Sequence, residues 1–364
     1  MHIGVILNEV VPPPKYGGTN RVVTTLVNEL LRLGHKVTLY AKEGSGIKGA
    51  ICRDLPVDFE ISNAWIDKSI DILHMHYPHR VETNIPLLVT QHGNSLSRIF
   101  PHMSFVSESH AKNHGTTAFV YNGINVEDFP FTSHKEDYLC FLADASWGVK
   151  NLRTAIALAK DTKTKLVVMG GKGQNSDYVD FRGMVGEADG KLEILAKAKA
   201  LIYLANWDEP CGLAVLESLA CGTPVIATTN GAFPAIIDAS CGRCVGSYSE
   251  AVSAVKSIEA ISAHSCRLRL DHGFTSSQMT QGYIRLYNEV LNGTWNYVTP
   301  SHVFDSPLHK VYKPSLRNFL HFEVKHRLAH LRGKQWDYSY RSATRVDPER
   351  CGFGTRDGRL LNSG

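Results

Sequence analysis

The sequence predicts an α/β fold made of two doubly wound domains. Short apolar segments typical of buried parallel strands alternate with amphipathic helical segments, and this alternation runs through the chain twice. The length of 364 residues suits two domains of ordinary size, each with its own core. The joint between the two alternations is predicted near Phe129–Glu136, where Pro130 stands between aromatic residues.

The first alternation starts with a β-α-β unit. The apolar run His2–Leu7 is typical of a strand, and a loop with Gly17–Gly18 follows it. Thr19 can cap a helix that runs to Leu33, because apolar residues recur there at helical spacing, and Gly34 ends it. The other predicted strands of this half are Lys36–Ala41, Ile70–Met75, Leu87–Thr90 and Phe105–Ser107.

The second alternation repeats the same pattern. Strands that alternate with helices favour a parallel sheet with helices on both faces. The predicted strands are Tyr138–Ala143, Lys165–Met169, Ala200–Leu204 and Pro224–Thr228. The predicted helices are Lys150–Lys160, Leu192–Ala198 and Leu213–Ala220, the last of them ended by Gly222.

The composition excludes several classes of protein. The chain carries 39 basic and 35 acidic side chains, and 43% of it is apolar, which argues against disorder, collagen and coiled coil. No apolar run approaches the ~20 residues of a membrane helix, and Met1–Leu7 lacks the parts of a signal peptide. Eight cysteines in so long a chain do not make a disulfide scaffold. We therefore expect a cytoplasmic protein.

The most informative segment runs from Asn206 to Glu217. It is typical of a strand end, a sharp turn with proline and glycine, and the start of a helix. The backbone N–H groups of Cys211–Ala214 lie at that helix N-terminus, which favours anions. Ligands of doubly wound sheets bind at the carboxyl ends of the strands, where this turn lies. Glu209 and Glu217 can therefore reach different parts of one ligand, although two solvated surface glutamates are the simpler interpretation.

This segment resembles the retaining glycosyltransferases of family four, which have the two-domain GT-B fold. The matching features are the Glu209 and Glu217 pair, Gly212–Leu213 between them, and Ser218–Ala227 after them. The resemblance extends over about residues 1–290 and rests on several motifs together, since one glycine pair alone is weak evidence. The other matching segments are Pro14–Gly18, Leu33–Thr38, Thr90–Gly93, Val106–Glu108, Asn122–Ile124 and Lys150.

The resemblance implies a role for each matching residue. Glu209, His92 and Lys150 are the implied catalytic residues: Glu209 bonds hydroxyls of the donor sugar, His92 lines the sugar pocket, and Lys150 binds the diphosphate. Glu217 is expected to hold the ribose. The other implied donor-binding residues are Cys211, Gly212 and Leu213 at the helix start, Val185 at the nucleotide base, and Gly17 and Gly18 in the first loop, which closes on donor and acceptor.

The implied reaction is attack by an acceptor hydroxyl on the face of the sugar that the diphosphate leaves, so the anomeric configuration is retained. Negative charge develops on the leaving oxygen, and preorganised donors aimed there are worth roughly 3–4 kcal/mol each in other enzymes. A lysine and a helix N-terminus supply such donors, so we expect no metal and no cofactor. A glycosidase-type carboxylate pair is a competing interpretation, which the phosphate-binding context of Glu209 disfavours.

Two positions depart from the family pattern. Asp144 stands where the family has an arginine, and Ala235 stands where an acidic residue is common. Two like charges ~4 Å apart at an effective dielectric constant of 20 cost about 4 kcal/mol. We therefore expect the Asp144 carboxylate either to pair with a neighbour or to face a sugar hydroxyl. Lys15 or Arg21 then becomes a candidate for a second positive charge at the diphosphate.

The predicted organisation is a GT-B protein with two Rossmann-like domains facing a cleft. An acceptor-side domain covers residues 1–130 and a sugar-nucleotide-binding domain covers 131–273. A helix over 274–291 crosses back to the first domain, and 292–364 is a basic extension. The predicted function is retaining hexosyl transfer from a nucleotide sugar to a hydroxyl of a glycan, glycolipid or metabolite. A catalytically weak sugar-nucleotide-binding module and a GT-B epimerase or phosphorylase are the alternatives.

The remaining signals concern metals, membranes and nucleic acid. Residues 301–364 hold 12 Lys or Arg against six Asp or Glu, and Leu316–Leu331 is either a surface helix that touches anionic lipid or a solvated helix packed on the body. No motif indicates nucleic-acid binding. Two groups of residues could ligate a metal. His74, His76 and His79 are better interpreted as a cleft lining, and Cys241, Cys244, His264 and Cys266 as a turn with a strand.

Trp147 and Trp207 are better interpreted as core residues, although Trp207 can contact a ligand because it precedes Glu209.

Overall fold

A computed structural model describes residues 1–14, 17–55, 61–186 and 189–301. The chain divides into two compact units. The first comprises Met1–Phe131, Glu209–Cys221 and residues 267–301, and the second comprises Thr132–Asp208 and Gly222–Cys266. The predictions for the basic tail beyond residue 301 lie outside the described residues.

The helices and strands have the following bounds. The strands are β1 (His2–Leu7), β2 (Lys36–Ala41), β3 (Ile51–Asp54), β4 (Ile61–Ser62), β5 (Ile72–His76), β6 (Val81–Glu82), β7 (Leu87–Gln91), β8 (Met103–Phe105), β9 (Glu136–Leu142), β10 (Lys165–Met169), β11 (Val179–Phe181), β12 (Ala198–Tyr203), β13 (Val225–Thr228) and β14 (Gly242–Val245). The helices are α1 (Thr19–Arg32), α2 (Glu108–Asn113), α3 (Leu152–Thr162), α4 (Lys191–Lys197), α5 (Leu213–Ala220), α6 (Phe233–Ile236), α7 (Tyr248–Ser257), α8 (Ala263–Leu268) and α9 (Ser276–Leu291).

The first unit is built on a six-stranded sheet in the order β3-β2-β1-β5-β7-β8. Every pairing in it is parallel. Side chains alternate between the faces, so Val5 packs with α1 and α9 on one face while Ile6 joins a second apolar cluster with Phe105. Because both faces are covered, the central strands β1 and β5 are buried along their whole length, including His74 and His76 of β5.

The second unit contains a matching six-stranded parallel sheet in the order β11-β10-β9-β12-β13-β14. In both sheets the chain builds outward in one direction from the first strand and then resumes on that strand's other side. Each sheet therefore has a topological switch point, between β1 and β5 in the first unit and between β9 and β12 in the second. These two sheets confirm the predicted α/β fold class.

Several local predictions were wrong. Thr19 is the first residue of α1 and not its cap, and the strand expected at Phe105–Ser107 is Met103–Phe105, because Ser107 is the N-cap of α2. The helix expected from Lys150 begins at Leu152, because a 3-10 turn ends at Lys150 and Asn151 has φ 58°, a left-handed conformation that interrupts the helix. Trp147 is 48% exposed and so is not a core residue, whereas Trp207 is 8% exposed. In the described part of the chain no helix is long and apolar enough to cross a membrane.

Candidate active site

The switch points decide which loops can hold a ligand. In the first unit the loop after β1 carries Gly17 and Gly18, and β5 ends at His76. In the second unit the loop after β9 carries Lys150, and Trp207 follows β12. Loops at the carboxyl ends of strands that flank a switch point form the usual binding crevice of a doubly wound sheet.

The glycine loop is closely packed against the start of α1. A Cβ added at Gly17 would lie 1.9 Å from Asn20 Oδ1, so a larger residue there would require the Asn20 side chain to move. A Cβ at Gly18 would lie 3.6 Å from Leu213 Cδ1, which is ordinary contact. The first unit therefore brings the predicted residues Gly17, Gly18 and Leu213 into one neighbourhood.

Glu217 forms a buried ion pair that the sequence did not reveal. Its carboxylate oxygen Oε1 accepts from Arg21 Nη2 on α1, and the side chain is 2% exposed on α5. The Arg21 side chain is 26% exposed. The carboxylate expected to hold a ribose is thus already bound to a guanidinium group. Any ribose that used Glu217 must share it with Arg21 or displace Arg21.

The turn before α5 is fixed by polar contacts within the first unit. Ser107 Oγ donates to the carbonyl oxygen of Pro210 at 2.5 Å, and Asn122 hydrogen-bonds the Cys211 sulfur. Glu209 is 7% exposed in this turn. Burial, reinforced by the charge of Glu209, raises the pKa of the Cys211 thiol to about 12. Cys211 therefore stays a neutral thiol near pH 7 and is a packing residue, not a nucleophile.

His92 is held by a second histidine. His76 Nδ1 lies 2.8 Å from His92 Nε2, and His76 is fully buried. Burial lowers the pKa of both imidazoles well below the usual value, and neighbouring imidazoles add to this effect. Both rings are neutral near pH 7, so one N–H is shared between them. Among the described residues, His76 Nε2 is buried and has no hydrogen-bond partner.

Tyr77 lies beside His92 in a conformation rare for an aromatic residue. Its φ is 85°, in the left-handed region. The Tyr77 hydroxyl and Thr19 Oγ1 are 2.7 Å apart, and the Tyr77 ring centroid is 5.5 Å from that of His92. Such backbone strain is concentrated at functional sites. Tyr77 was not predicted as a site residue, because no local sequence pattern signals a positive φ at tyrosine.

Lys150 is enclosed by aromatic rings in the second unit. The side chain is 7% exposed, and Nζ donates to the Tyr203 hydroxyl at 2.7 Å. Nζ also lies 4.9 Å from the Trp147 ring centroid and 4.8 Å from that of Trp207. These distances are typical of cation–π contacts.

Asp144 shows one of the two behaviours expected of it. Its Oδ1 accepts from Ser146 N at 2.9 Å and from Ser146 Oγ at 2.6 Å. The carboxylate therefore pairs with a neighbour and serves as the anchor of the loop between β9 and Lys150.

Val185 lies in the loop after β11, which is hydrogen-bonded to the loop after β10. The amides of Gly170 and Gly171 both donate to the carbonyl oxygen of Gly183, at 2.8 and 3.3 Å. Gly170 has φ 136°, and a Cβ there would lie 1.8 Å from the Ala143 oxygen, so the loops after β9 and β10 require glycine at this contact. Val185 itself is partly buried, two residues after Gly183.

The structure thus gathers the predicted residues in two groups. Gly17, Gly18, Leu213 and Glu217 meet in the first unit, where Glu209, Cys211, Gly212 and His92 also lie; Lys150 and Val185 lie in the second unit. Within the described ranges, no group of three or more His, Cys, Asp or Glu side chains is arranged to hold a metal ion, and the segment Gly242–Val245 is strand β14.

Part of the chain matches known proteins by sequence. Residues 126–271 match the family model described as glycosyl transferases group 1. Two curated proteins from strains of Mycobacterium tuberculosis, described as GDP-mannose-dependent alpha-(1-6)-phosphatidylinositol dimannoside mannosyltransferases, are 37% identical over 81 residues. That alignment covers 22% of this chain and 21% of each relative, so the match spans about a fifth of the curated relatives.

Several solved structures share the fold. AviGT4, a glycosyltransferase involved in avilamycin A biosynthesis, has a TM-score of 0.68 at 21% identity, over 81% of this chain and 98% of that one. Sucrose-phosphate synthase from Thermosynechococcus elongatus has a TM-score of 0.63 at 16% identity, over 80% and 99%. Anabaena HepE, solved with UDP and glucose, has a TM-score of 0.54 at 11% identity, over 78% and 98%. The likeness confirms the predicted GT-B fold.

Proposed function

Because residues 126–271 match the family model described as glycosyl transferases group 1, we propose that the protein is a retaining glycosyltransferase. It transfers a sugar from a nucleotide-sugar donor to an acceptor hydroxyl, in the synthesis of a glycan, glycolipid or glycosylated metabolite. One observation carries the proposal: Lys150 and the segment that leads to Glu209 follow β9 and β12, the two strands that flank the switch point of the second sheet.

The proposed reaction breaks the bond between the anomeric carbon and the diphosphate oxygen. The acceptor hydroxyl forms the new glycosidic bond on the same face, and its proton passes to the departing diphosphate. The Lys150 ammonium and the amides at the start of α5 stabilise the negative charge that develops on the leaving oxygen. Glu209 orients the donor sugar, Glu217 binds the ribose, and His92 lines the sugar pocket. The reaction needs no metal ion.

Two donors are the first to test. The curated relatives are described as GDP-mannose-dependent, and a HepE structure contains UDP-glucose. We therefore propose one of these two nucleotide sugars, or a close analogue, as the donor. The acceptor is proposed only as a hydroxyl compound. Contact of the basic tail with an anionic membrane stays a prediction from sequence, and co-sedimentation with anionic liposomes tests it.

The experiment incubates the protein with each nucleotide sugar and measures release of the nucleoside diphosphate, with and without alcohol acceptors. We expect slow hydrolysis of one donor, with Glu209→Gln much less active. Glu193→Gln, an exposed carboxylate on α4, is the matched control. Turnover of no donor, together with tight nucleotide binding, would favour a binding module instead. Asp144 favours that second candidate, because it stands where the resembling family has an arginine and its carboxylate is bound to Ser146.

A further inference from the structure

The Lys150 ammonium stands inside a box of three aromatic rings. Its Nζ is 4.8 Å from the Trp207 centroid, 4.9 Å from the Trp147 centroid and 5.1 Å from the Tyr203 centroid. The Tyr203 hydroxyl accepts a hydrogen bond from the same nitrogen at 2.7 Å. The faces of such rings attract a cation, and the attraction increases when the cation is desolvated. The ammonium is thus held from several directions.

The box is rigid because its walls pack against one another. Tyr203 ends β12 and lies against Phe233 with ring centroids 5.2 Å apart. Trp147 and Trp207 meet edge to face at 4.7 Å. The backbone N–H of Asn206 also donates to the carbonyl oxygen of Val149 at 2.8 Å, which joins the loop after β9 to the segment after β12.

This packing bears on the missing arginine. A lysine side chain is flexible and presents a point charge, whereas an arginine presents a planar fork of donors. Asp144 stands in place of the arginine, and its carboxylate is occupied by Ser146. A lysine that must bind the diphosphate without that arginine benefits from being fixed in advance, because less freedom is lost on binding.

We propose that Trp147, Tyr203 and Trp207 are positioning residues that hold the Lys150 ammonium ready for the diphosphate of the donor. This inference rests on the proposed function. The rings act through Lys150 and need not touch the ligand. Trp147 is the accessible wall of the box, since it is 48% exposed while Trp207 is 8% and Tyr203 5% exposed.

The first experiment tests the box without any ligand. NMR of protein labelled with ¹³C-lysine locates the Lys150 ε-methylene group, assigned with Lys150→Arg. We expect its proton resonance to be displaced upfield by ring currents, and Trp147→Ala to reduce the displacement. An ε-methylene resonance at the ordinary lysine position in the wild type would overturn the inference.

The second experiment measures GDP and UDP binding by calorimetry. We expect Trp147→Ala to weaken binding of the nucleotide about tenfold, within the range of a desolvated cation–π contact. Trp147→Phe and Trp207→Phe keep a ring and should retain most of the affinity. Tyr248→Phe, which removes an exposed hydroxyl of the same unit that bonds Asp161, is the control and should bind as the wild type does.

The combination with Lys150→Ala separates positioning from direct contact. If the rings act through Lys150, Trp147→Ala weakens binding in the wild type but has no further effect in Lys150→Ala. An equal loss in both backgrounds would mean that Trp147 touches the ligand itself, and would overturn the positioning role. Two further outcomes separate this inference from the proposed function. If the wild type binds neither nucleotide but its Lys150 resonance is still displaced, the proposed function and the diphosphate as ligand are overturned. If binding is normal but the Lys150 resonance is not displaced, the aromatic box alone is overturned.

Discussion

Among single side chains, Arg21 and Glu217 form an ion pair that involves the carboxylate predicted at the donor ribose. The Glu217 side chain is 2% exposed and the Arg21 side chain 26% exposed. Each of the two residues also makes other interactions. Breaking a buried ion pair from one side is costly, because the remaining charge stays desolvated. Sequence motifs predicted Glu217 as a site residue, yet could not predict its partner, since a pairing between residues far apart in the chain depends on how α1 and α5 pack.

We predict a large coupling energy between Arg21 and Glu217. A double-mutant cycle with Arg21→Gln and Glu217→Gln, followed by chemical denaturation, should give about 1–3 kcal/mol in the free energy of unfolding. The exposed pair Lys112 and Glu108 on α2, with side chains 64% and 49% exposed, is the matched control and should give about 0.3–0.5 kcal/mol. Equal coupling in the two pairs would show that the Arg21 contact is not specially stabilising.

The two glutamates of the α5 segment should differ in kinetics. Contacts that strengthen in the transition state change kcat, whereas uniform binding changes KM. We expect Glu209→Ala to lower kcat roughly 100-fold and Glu217→Ala mainly to raise KM, by about tenfold. Steady-state rates with the active donor measure both, with Glu193→Ala as the exposed control. Equal losses of kcat with unchanged KM in both variants would reject the division of roles.

Among helices and strands, the central strands were predictable and the edge strands were not. β1, β2, β5 and β7 are rich in apolar residues and almost wholly buried, because both faces of the sheet are covered. By contrast β3 is half exposed, and Gly242–Val245 is short and only partly buried. Such segments carry too little apolar pattern to be separated from turns, and their pairing is set by the sheet already formed.

The loop between β9 and α3 shows a second limit of local patterns. Helical spacing predicts that Lys150 lies in the helix, but Asn151 Nδ2 donates to the Leu204 oxygen and to Asn206 Oδ1, both at 3.0 Å. These tertiary contacts hold Asn151 in the left-handed conformation and end the 3-10 turn at Lys150. The aromatic box around Lys150 depends on that break, so it was not visible in the sequence.

The packing of α2 against β8 should make stability depend on pH. His114, the C-terminal cap of α2, stacks on Phe105 at 4.7 Å, and burial lowers its pKa from 6.5 to about 4. Between these values the unfolded chain binds more protons than the fold does. The free energy of unfolding should therefore carry no penalty from His114 above pH 6.5. It should fall by up to about 1.4 kcal/mol per pH unit as the pH drops toward 4.

Denaturation of His114→Gln at several pH values measures this contribution. In that pH window, the slope of the unfolding free energy against pH should be smaller in the variant by the equivalent of up to one proton. Part of the pH dependence should remain, because burial also lowers the pKa of nearby His110. His134→Gln, at an exposed position, is the control and should keep the wild-type slope. If the plots of unfolding free energy against pH are parallel for the wild type and His114→Gln, the pKa of His114 does not differ between the folded and unfolded states.

At the scale of the whole molecule, the fold was the most predictable property. Two rounds of strand and helix predicted two parallel sheets, and each sheet has the strand order expected of a doubly wound domain. The carboxyl ends of the strands at each switch point then indicate where a ligand binds. What the sequence could not predict is which side chains close around Lys150 and Glu217, because those contacts join loops that are distant along the chain.

The proposed reaction should survive a chelator. The proposed reaction assigns stabilisation of the diphosphate to the Lys150 ammonium and to the backbone amides at the start of α5, and not to a metal ion. We expect donor turnover to be unchanged by excess EDTA after extensive dialysis. A complete loss that Mg²⁺ or Mn²⁺ restores would show that the leaving group is stabilised by a metal ion.

The central claim is that Lys150 binds the diphosphate of a nucleotide sugar. Calorimetry with GDP and UDP on the wild type, Lys150→Ala and Asp144→Ala tests it most directly. We predict that Lys150→Ala loses at least about tenfold in nucleotide affinity. Asp144→Ala should change it less and should not tighten it tenfold, since that carboxylate is bound to Ser146. Wild-type affinity in Lys150→Ala would contradict the account and remove the lysine from the diphosphate site.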